Sequence, residues 1–304
     1  MHKIRNAVAL ANLLRIGVEP TNTLRVLRKW SRYQQSLNPE NILAAKVDIR
    51  YEWSSDNVPA GTSVLYMTTH FGSYYIVFKA LADRAKNRTV YCLIGEQSES
   101  HAQRLTHLAS IYGVNLIFIS GGLGLIRGLK RAVATGAPIV VLIDVPWGAA
   151  SPPDIEFNFL SGRIKGRTAL FRLAEKMNLP WRFVVAEIGD QGSIIVDHGA
   201  SSQMDCMRLF EKHVDWQPQY YDRLSDLHRY FATKVDTDAF IAFRFNSAFY
   251  VHDVDKVKTF SIPYEQYSAI TLAKRRREDL GGYDEIGLAK RCKIFEGRQV
   301  RYLL

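Results

Sequence analysis

From about residue 63 to residue 196 the chain alternates short, unbroken apolar runs with stretches whose apolar residues recur every three or four positions. The runs are Ser63-Val64-Leu65-Tyr66, Thr89 to Ile94, Asn115 to Ile119, Pro138 to Ile143, Trp181 to Ala186 and Ser193 to Val196. Between them, Leu105, Leu108, Ala109 and Tyr112 mark one helix face, and Leu125, Ile126, Leu129, Ala132 and Val133 a second. Ala169, Leu170, Leu173, Ala174 and Met177 mark a third. Strands that are apolar on both faces must be covered on both. The pattern therefore predicts an α/β fold with a mainly parallel central sheet and helices on either side. In such sheets ligands gather at the carboxyl ends of the strands, and His70 and Asp144 both fall at such ends.

The flanks are less regular. Residues 1 to 60 read as a helical segment followed by irregular chain, with Trp30, Tyr33 and Trp53 adding aromatic weight and Pro20, Pro39 and Pro59 adding breaks. The run Ala7 to Leu14, with His2, Lys3, Arg5 and Arg15 around it, reads as a helix packed on the domain; an interfacial helix is the alternative. Beyond Gln203 the alternation weakens, although Tyr220, Leu224, Leu227 and Phe231 still space as one helix stripe. Lys274-Arg275-Arg276-Arg277 makes the last segment basic. We read residues 1–250 as one α/β domain that includes the helical N-terminal segment, and residues 251–304 as a basic C-terminal extension.

Forty Lys and Arg against thirty Asp and Glu give the 304 residues a net charge of +10. That balance favours an acidic partner: an anionic membrane touched peripherally, an acidic carrier protein or a nucleic acid. No recognisable RNA or DNA motif is present, which counts against nucleic acid. The three cysteines, Cys92, Cys206 and Cys292, form no CxxC and fit a reducing, cytoplasmic compartment. No structural zinc site is visible, His101 and His107 read as surface residues, and no metal is expected. Nor does any run approach the roughly 20 apolar residues that a membrane span needs.

Three stretches carry candidate chemistry. In Met67-Thr68-Thr69-His70-Phe71-Gly72-Ser73-Tyr74-Tyr75, a neutral imidazole at a strand end can take a proton from a hydroxyl or amine. Gly72 permits a sharp turn or a close approach to a ligand. In Pro138 to Gly148, Asp144 ends a strand, as a functional carboxylate or as a strand-end cap. In Phe157 to Ala169, the alternating cations Arg163, Lys165 and Arg167 surround Gly162 and Gly166 just before a helix. They suit a phosphate or phosphopantetheine, with backbone amides of that helix assisting; an exposed basic loop is the plainer reading. A fourth stretch, Asn115 to Gly128, is a strand, a glycine turn and a helix with Asp144 twenty residues after Gly124, as in an NAD(P)-binding oxidoreductase. Against it stand two earlier strands and the lack of a downstream Tyr-x-x-x-Lys pair.

Together, in order and spacing, His70-Phe71-Gly72-Ser73-Tyr74-Tyr75, the strand ending in Asp144 with Pro146 and Gly148 nearby, and the stretch 157–169 resemble the bacterial lipid A biosynthesis acyltransferases. These are the lauroyl and myristoyl transferase branch of the lysophospholipid acyltransferase superfamily. That family reads H-x-G-N-W-E, then a strand ending D-Q near P-G, then F-F-G-x-x-A-x-T before a helix. The likeness covers about residues 60 to 200, and Asp238 to Phe245 is similar to the family's late P-E-Q-W-x-W-x-x-R-R-F.

The resemblance implies a glycerolipid acyltransferase-like fold and an O- or N-acyltransferase of lipid biosynthesis. The donor would be an acyl thioester of an acyl carrier protein or CoA, and no cofactor would be bound. The acceptor would be a lipid, glycolipid or small molecule carrying a hydroxyl or amine, and the protein would be cytoplasmic, peripheral at the inner membrane. His70 would be the general base. Gly72, Ser73, Arg104, Arg163, Lys165 and Arg167 would contact substrate. The family places a glutamate five residues after the histidine, where this chain has Tyr75. A phenol with an ordinary pKa near 10 accepts a hydrogen bond but supplies no full charge at neutral pH. Asp144, Glu96 or Glu99 could substitute, and Asp144 is the best placed because it ends a strand. The alternative left open by Tyr75 is a catalytically impaired homologue, a pseudoenzyme that binds an acyl carrier, a lipid or a partner enzyme.

Overall fold

Strand β2, Leu65–Thr68, is buried at every position, so it has neighbours on both edges and layers on both faces. In the computed structural model, which describes residues 2–37, 49–54, 61–93, 99–119, 123–144, 153–160, 162–189, 192–199, 202–227, 240–245, 247–253 and 258–268, β2 lies at the centre of a seven-stranded sheet. The other strands of that sheet are β1 (Ile49–Glu52), β3 (Thr89–Leu93), β4 (Asn115–Ile119), β5 (Ile139–Leu142), β8 (Trp181–Gly189) and β9 (Gly192–Asp197), in the order β1-β9-β8-β2-β5-β3-β4. The run β8-β2-β5-β3-β4 is parallel throughout; β9 pairs antiparallel with β8, and β1 parallel with β9. The expected α/β fold with a mainly parallel sheet is what the chain forms.

Helices supply the crossovers. We label them α1 (His2–Arg15), α2 (Pro20–Ser36), α3 (Tyr74–Ala85), α4 (Glu99–Ile111), α5 (Leu123–Thr135), α6 (Ala169–Lys176) and α7 (Gln203–Trp216). Helix α3 links β2 to β3, α4 links β3 to β4, and α5 links β4 to β5. An antiparallel pair, β6 (Ile155–Phe159) with β7 (Gly162–Gly166), precedes α6 and buries Phe157, Phe159 and Ile164. No helix among the described residues is long and apolar enough to cross a membrane.

The chain divides into two units. One is Arg28–Arg223 and holds the seven-stranded sheet; the other is Met1–Leu27 with Leu224–Leu304. In the second unit β10 (Phe240–Phe245), β11 (Ala248–Asp253) and β12 (Lys258–Ile262) form an antiparallel meander. Helix α1 of that unit buries Ala9, Leu10 and Leu13, and Asn12 donates to the Leu224 carbonyl at 2.7 Å. The expected boundary at residue 250 falls inside β11, and the basic cluster 274–277 lies outside the described residues.

Three local expectations are corrected. On α5, Ile126 and Val133 face outward, 45% and 43% exposed, while Leu129 and Ala132 face the sheet. The stripe through Tyr220, Leu224 and Leu227 is not an α-helix: it is two 3-10 turns, Pro218–Tyr220 and Asp222–Ser225, begun by the proline at the first position. Phe231 lies outside the described residues. Finally, residues 49–52, read as irregular, form the edge strand β1.

The margin of the sheet is held by a buried charge cluster. Asp197, at the end of β9, accepts from Arg182 Nε at 2.8 and 3.0 Å and from Arg84 Nη1 at 3.0 Å, and Arg84 lies 4.3 Å over the Trp53 ring. Removing one member of a buried ion group leaves the other desolvated and unmatched. Asp197→Ala is expected to lower unfolding free energy by about 3–5 kcal/mol, read from urea denaturation; a loss below about 1 kcal/mol would show that the cluster is solvated in solution.

Candidate active site

The site begins where β2 and β5 end. These neighbouring parallel strands pair Thr68 with Leu142, so His70 and Asp144 each lie two residues beyond a paired position. The imidazole Nδ1 lies 3.0 and 3.2 Å from the two oxygens of Asp144, and the His70 backbone N–H donates to Asp144 Oδ2 at 3.1 Å. Both side chains are fully buried. With the Nδ1 proton directed at the carboxylate, the lone pair sits on Nε2, the tautomer a general base needs.

Residues 70–73 are fixed from three directions. Gly72 donates its N–H to the Tyr220 carbonyl at 2.8 Å, Ser73 donates its N–H to the Ala186 carbonyl at 3.1 Å, and Tyr33 Oη donates to the Gly72 carbonyl at 2.7 Å. Phe71 bridges antiparallel to Tyr221, whose carbonyl accepts from Trp30 Nε1 at 2.9 Å. Gly72 has φ +57, and a Cβ there would stand 1.6 Å from the Ala186 oxygen. That close approach is between backbone and backbone, which is why only glycine fits. Gly72 thus shapes the loop through contacts with its own chain.

A second carboxylate enters from the turn after Tyr221. Asp222 donates its backbone N–H to the His70 carbonyl at 2.8 Å. Its Oδ1 accepts from Gln34 Nε2 at 2.9 Å and its Oδ2 from Tyr74 Oη at 3.4 Å. The Tyr74 ring meets the imidazole edge-on, with centroids 5.1 Å apart. Burial first, then the Asp222 charge, pushes the Tyr33 and Tyr74 phenols above their usual value. Burial also works to raise the Asp222 carboxyl, but the charges of His70, Arg223 and Arg104 and the Gln34 hydrogen bond outweigh it and hold it low.

The predicted residues sort as follows. His70, Asp144 and Gly72 come together at the strand ends. Arg104, half-buried on α4, sends its positive field to Tyr33, Tyr74 and Asp222, which places it by this cluster. Ser73 Oγ accepts from Ser193 Oγ at 2.8 Å and bonds the Tyr75 phenol, so its hydroxyl is engaged within the fold. Tyr75 is buried, stacks on Tyr112 at 6.3 Å, and is raised by burial against the pull of that Ser73 bond. Glu96 lies outside the described residues, and Glu99 begins α4.

Arg163 and Lys165 alternate along β7 and Arg167 comes just after it, as the sequence suggests, but carboxylates stand among them. Arg163 lies 3.8 Å from Glu156, which also pairs in register with Lys165. Asp154 accepts from the Thr168 backbone N–H at 2.7 Å and from Arg172 at 3.2 Å. The helix N-terminus expected to assist a phosphate already holds a carboxylate.

Asp222, Tyr74, Tyr33 and Gln34 were missed by the sequence reading. Tyr74 stood inside the quoted stretch with nothing to distinguish it from Tyr75. Asp222 stood within a stripe read as core helix. Within the glycine stretch 115–128, Asn115–Ile119 is a strand and Leu123 begins a helix, but Asp144 is committed to His70. Burial pushes the thiols of Cys92 and Cys206 up to about 12, so neither is a ready nucleophile at neutral pH. Cys292 lies outside the described residues. Among the described residues no group of three or more His, Cys, Asp and Glu is placed to hold a metal. Comparison with protein-family models and with curated proteins finds no match for this chain.

Two stability tests follow from this geometry. Gly72→Ala combines a positive φ with a backbone collision, and we expect it to cost about 3 kcal/mol or more. Gly17→Ala, at φ +87 in open space, should cost about 1 kcal/mol; equal losses in urea denaturation would show that the loop is free to move. The second test concerns His213, which lies 5.3 Å from Phe71 and 3.3 Å, Nε2 to Nε2, from His198. Burial, then the charges of His198 and Lys212, lower its pKa from 6.5 to about 4. The unfolded chain takes up this proton first, so stability falls as pH drops from about 6.5 to about 4, by about 3 kcal/mol, and this loss stops below that range. His213→Phe should flatten that window in a pH series of denaturation curves; an unchanged slope would remove His213 as its source.

Proposed function

We propose that this protein is an acyltransferase that moves an acyl chain from a carrier-protein or CoA thioester to a hydroxyl or amine, with His70 as general base. The observation that carries the reading is the contact between His70 Nδ1 and Asp144 at the carboxyl ends of adjacent parallel strands. It supplies the carboxylate that Tyr75 lacks, from a strand instead of from the helix. The resemblance of the stretches around His70, Asp144 and residues 157–169 supports the same reaction.

In the proposed step the acceptor O–H or N–H gives its proton to His70 Nε2 as the oxygen or nitrogen attacks the thioester carbonyl carbon. Asp144 stabilises the imidazolium that forms and keeps the ring oriented. Collapse of the tetrahedral adduct breaks the carbon–sulfur bond. The departing thiolate recovers the proton from Nε2, leaving an ester or amide and a free thiol. Arg104 favours an anionic substrate group near the cluster. The net charge of +10 favours an acidic carrier or an anionic membrane surface as the place where donor and acceptor meet.

One observation favours a second reading, a relative that binds an acyl carrier or lipid without transferring the chain. His70 is 0% exposed, and a base must reach its substrate. Under the first reading a neighbour of the tied loop moves aside to admit the acceptor.

Intact-mass detection of acyl transfer separates the two, using purified protein, long-chain acyl carrier protein and a cell extract as acceptor pool. We expect an acylated product that His70→Ala abolishes and Asp144→Asn reduces by about four orders of magnitude. Unchanged turnover in His70→Ala would remove His70 from the mechanism. Carrier binding without transfer would favour the second reading.

A further inference from the structure

Asp222 has no counterpart among the residues that the sequence singled out, yet it is only 3% exposed and its acceptor atoms are turned toward the groups around His70. A buried carboxylate costs free energy unless matched charges and hydrogen bonds surround it. Here Gln34 and Tyr74 bond it, the turn that carries it is tied to the His70 carbonyl, and Arg223 and Arg104 supply positive charge. His70 also lowers the carboxyl's proton affinity, and electrostatic coupling is reciprocal. A carboxylate favoured by imidazolium favours imidazolium in return.

We propose that Asp222 is a positioning residue for the proton transfer, a second carboxylate that stabilises the charged form of His70 alongside Asp144, with Tyr74 linking the two through its phenol and its ring. This rests on the reading of His70 as the proton acceptor. Asp144 fixes the tautomer through Nδ1; Asp222 acts through the field and through the Tyr74 ring packed on the imidazole. The other polar and titratable groups of the cluster that joins Asp222 to the histidine loop are Tyr75 on α3, Tyr33 and Gln34 on α2, Arg104 on α4 and Arg223 in the turn, and His213 on α7 packs against Phe71. The tyrosines hold their protons, so the carboxylates supply the negative field.

Asp222→Asn keeps the shape and the capacity for hydrogen bonding but removes the charge. A structural role alone would leave the proton affinity of His70 where it was. We expect instead that the imidazole titrates about one unit lower, followed by NMR of the ring carbon between its nitrogens in histidine-labelled protein. The acidic limb of kcat/KM should move the same way, and kcat should fall about tenfold with KM held. Asp83→Asn, an exposed charge further along α3, should move neither quantity.

An unmoved titration in a folded Asp222→Asn overturns the inference. A lowered titration in a protein that transfers no acyl group upholds the positioning role and removes the transferase reading, so the two failures are distinct. The native protein offers a test that needs no variant: the Asp222 carboxyl carbon signal should stay at its ionised position while His70 titrates. A carboxyl that takes up its proton at neutral pH overturns the proposal.

Discussion

The contact between His70 and Asp144 is the interaction around which the rest of the sheet unit makes sense. Two side chains that are fully buried, one of them a carboxylate, are costly to remove from water. The cost is reduced because Asp144 receives two donors from one residue, the backbone N–H and Nδ1 of His70. That arrangement requires β2 and β5 to be neighbours in this register. A slip by one residue would send the carboxylate to the other face. The central position of β2 between β5 and β8 is therefore part of the site, since the same strand end must also meet Ala186 of β8 at Gly72.

Around this contact the loop 70–73 is held chiefly by backbone. Its carbonyls and amides are satisfied by Tyr33, Tyr220, Ala186 and Asp222, which lie on four different elements. Such a loop spends little side-chain freedom on its own shape. It leaves the histidine ring positioned by neighbours that are themselves anchored, which is how a site acquires a defined geometry. Tyr75, at the position where the resembled family carries a carboxylate, has been absorbed into this scaffold through Ser73 and Tyr112. The negative charge instead enters from β5.

Much of the fold was legible because both of its periods are strong. Unbroken apolar strands marked β2 to β5, and the face of α4 through Leu105, Leu108 and Ala109 followed its spacing, whereas α6 buries Phe171 and Ala174 and leaves Ala169 exposed. What the pattern could not give was order across the sheet: nothing in Pro138 to Asp144 says that it runs beside β2, with β3 on its far side. The outward turn of Ile126 and Val133 shows the same limit, since a wide apolar stripe does not specify which of its edges meets the sheet. Pro218 carried a signal that was available. A proline there starts a new turn, and the stripe that seemed to run through Tyr220 is broken by it, delivering Asp222 to the histidine loop. Gln34 and Tyr33 were illegible for a different reason: on a helix far away in sequence, they look like ordinary polar and aromatic residues.

The local chemistry divides the protons among these groups. Burial keeps the phenols of Tyr33, Tyr74 and Tyr75 protonated, so they serve as hydrogen-bond donors or packing surface and do not compete as bases. Asp222 is pulled the other way by the positive groups near it and remains ionised despite its burial. Burial alone would have neutralised tyrosines and aspartate alike; the placement of Arg104, Arg223 and His70 is what separates them. Imidazole is the side chain whose ordinary chemistry exchanges a proton near neutral pH, and here it stands among buried phenols that keep their protons and an Asp222 carboxyl that is held low. A site built this way leaves the imidazole as the group suited to the proton transfer proposed for it.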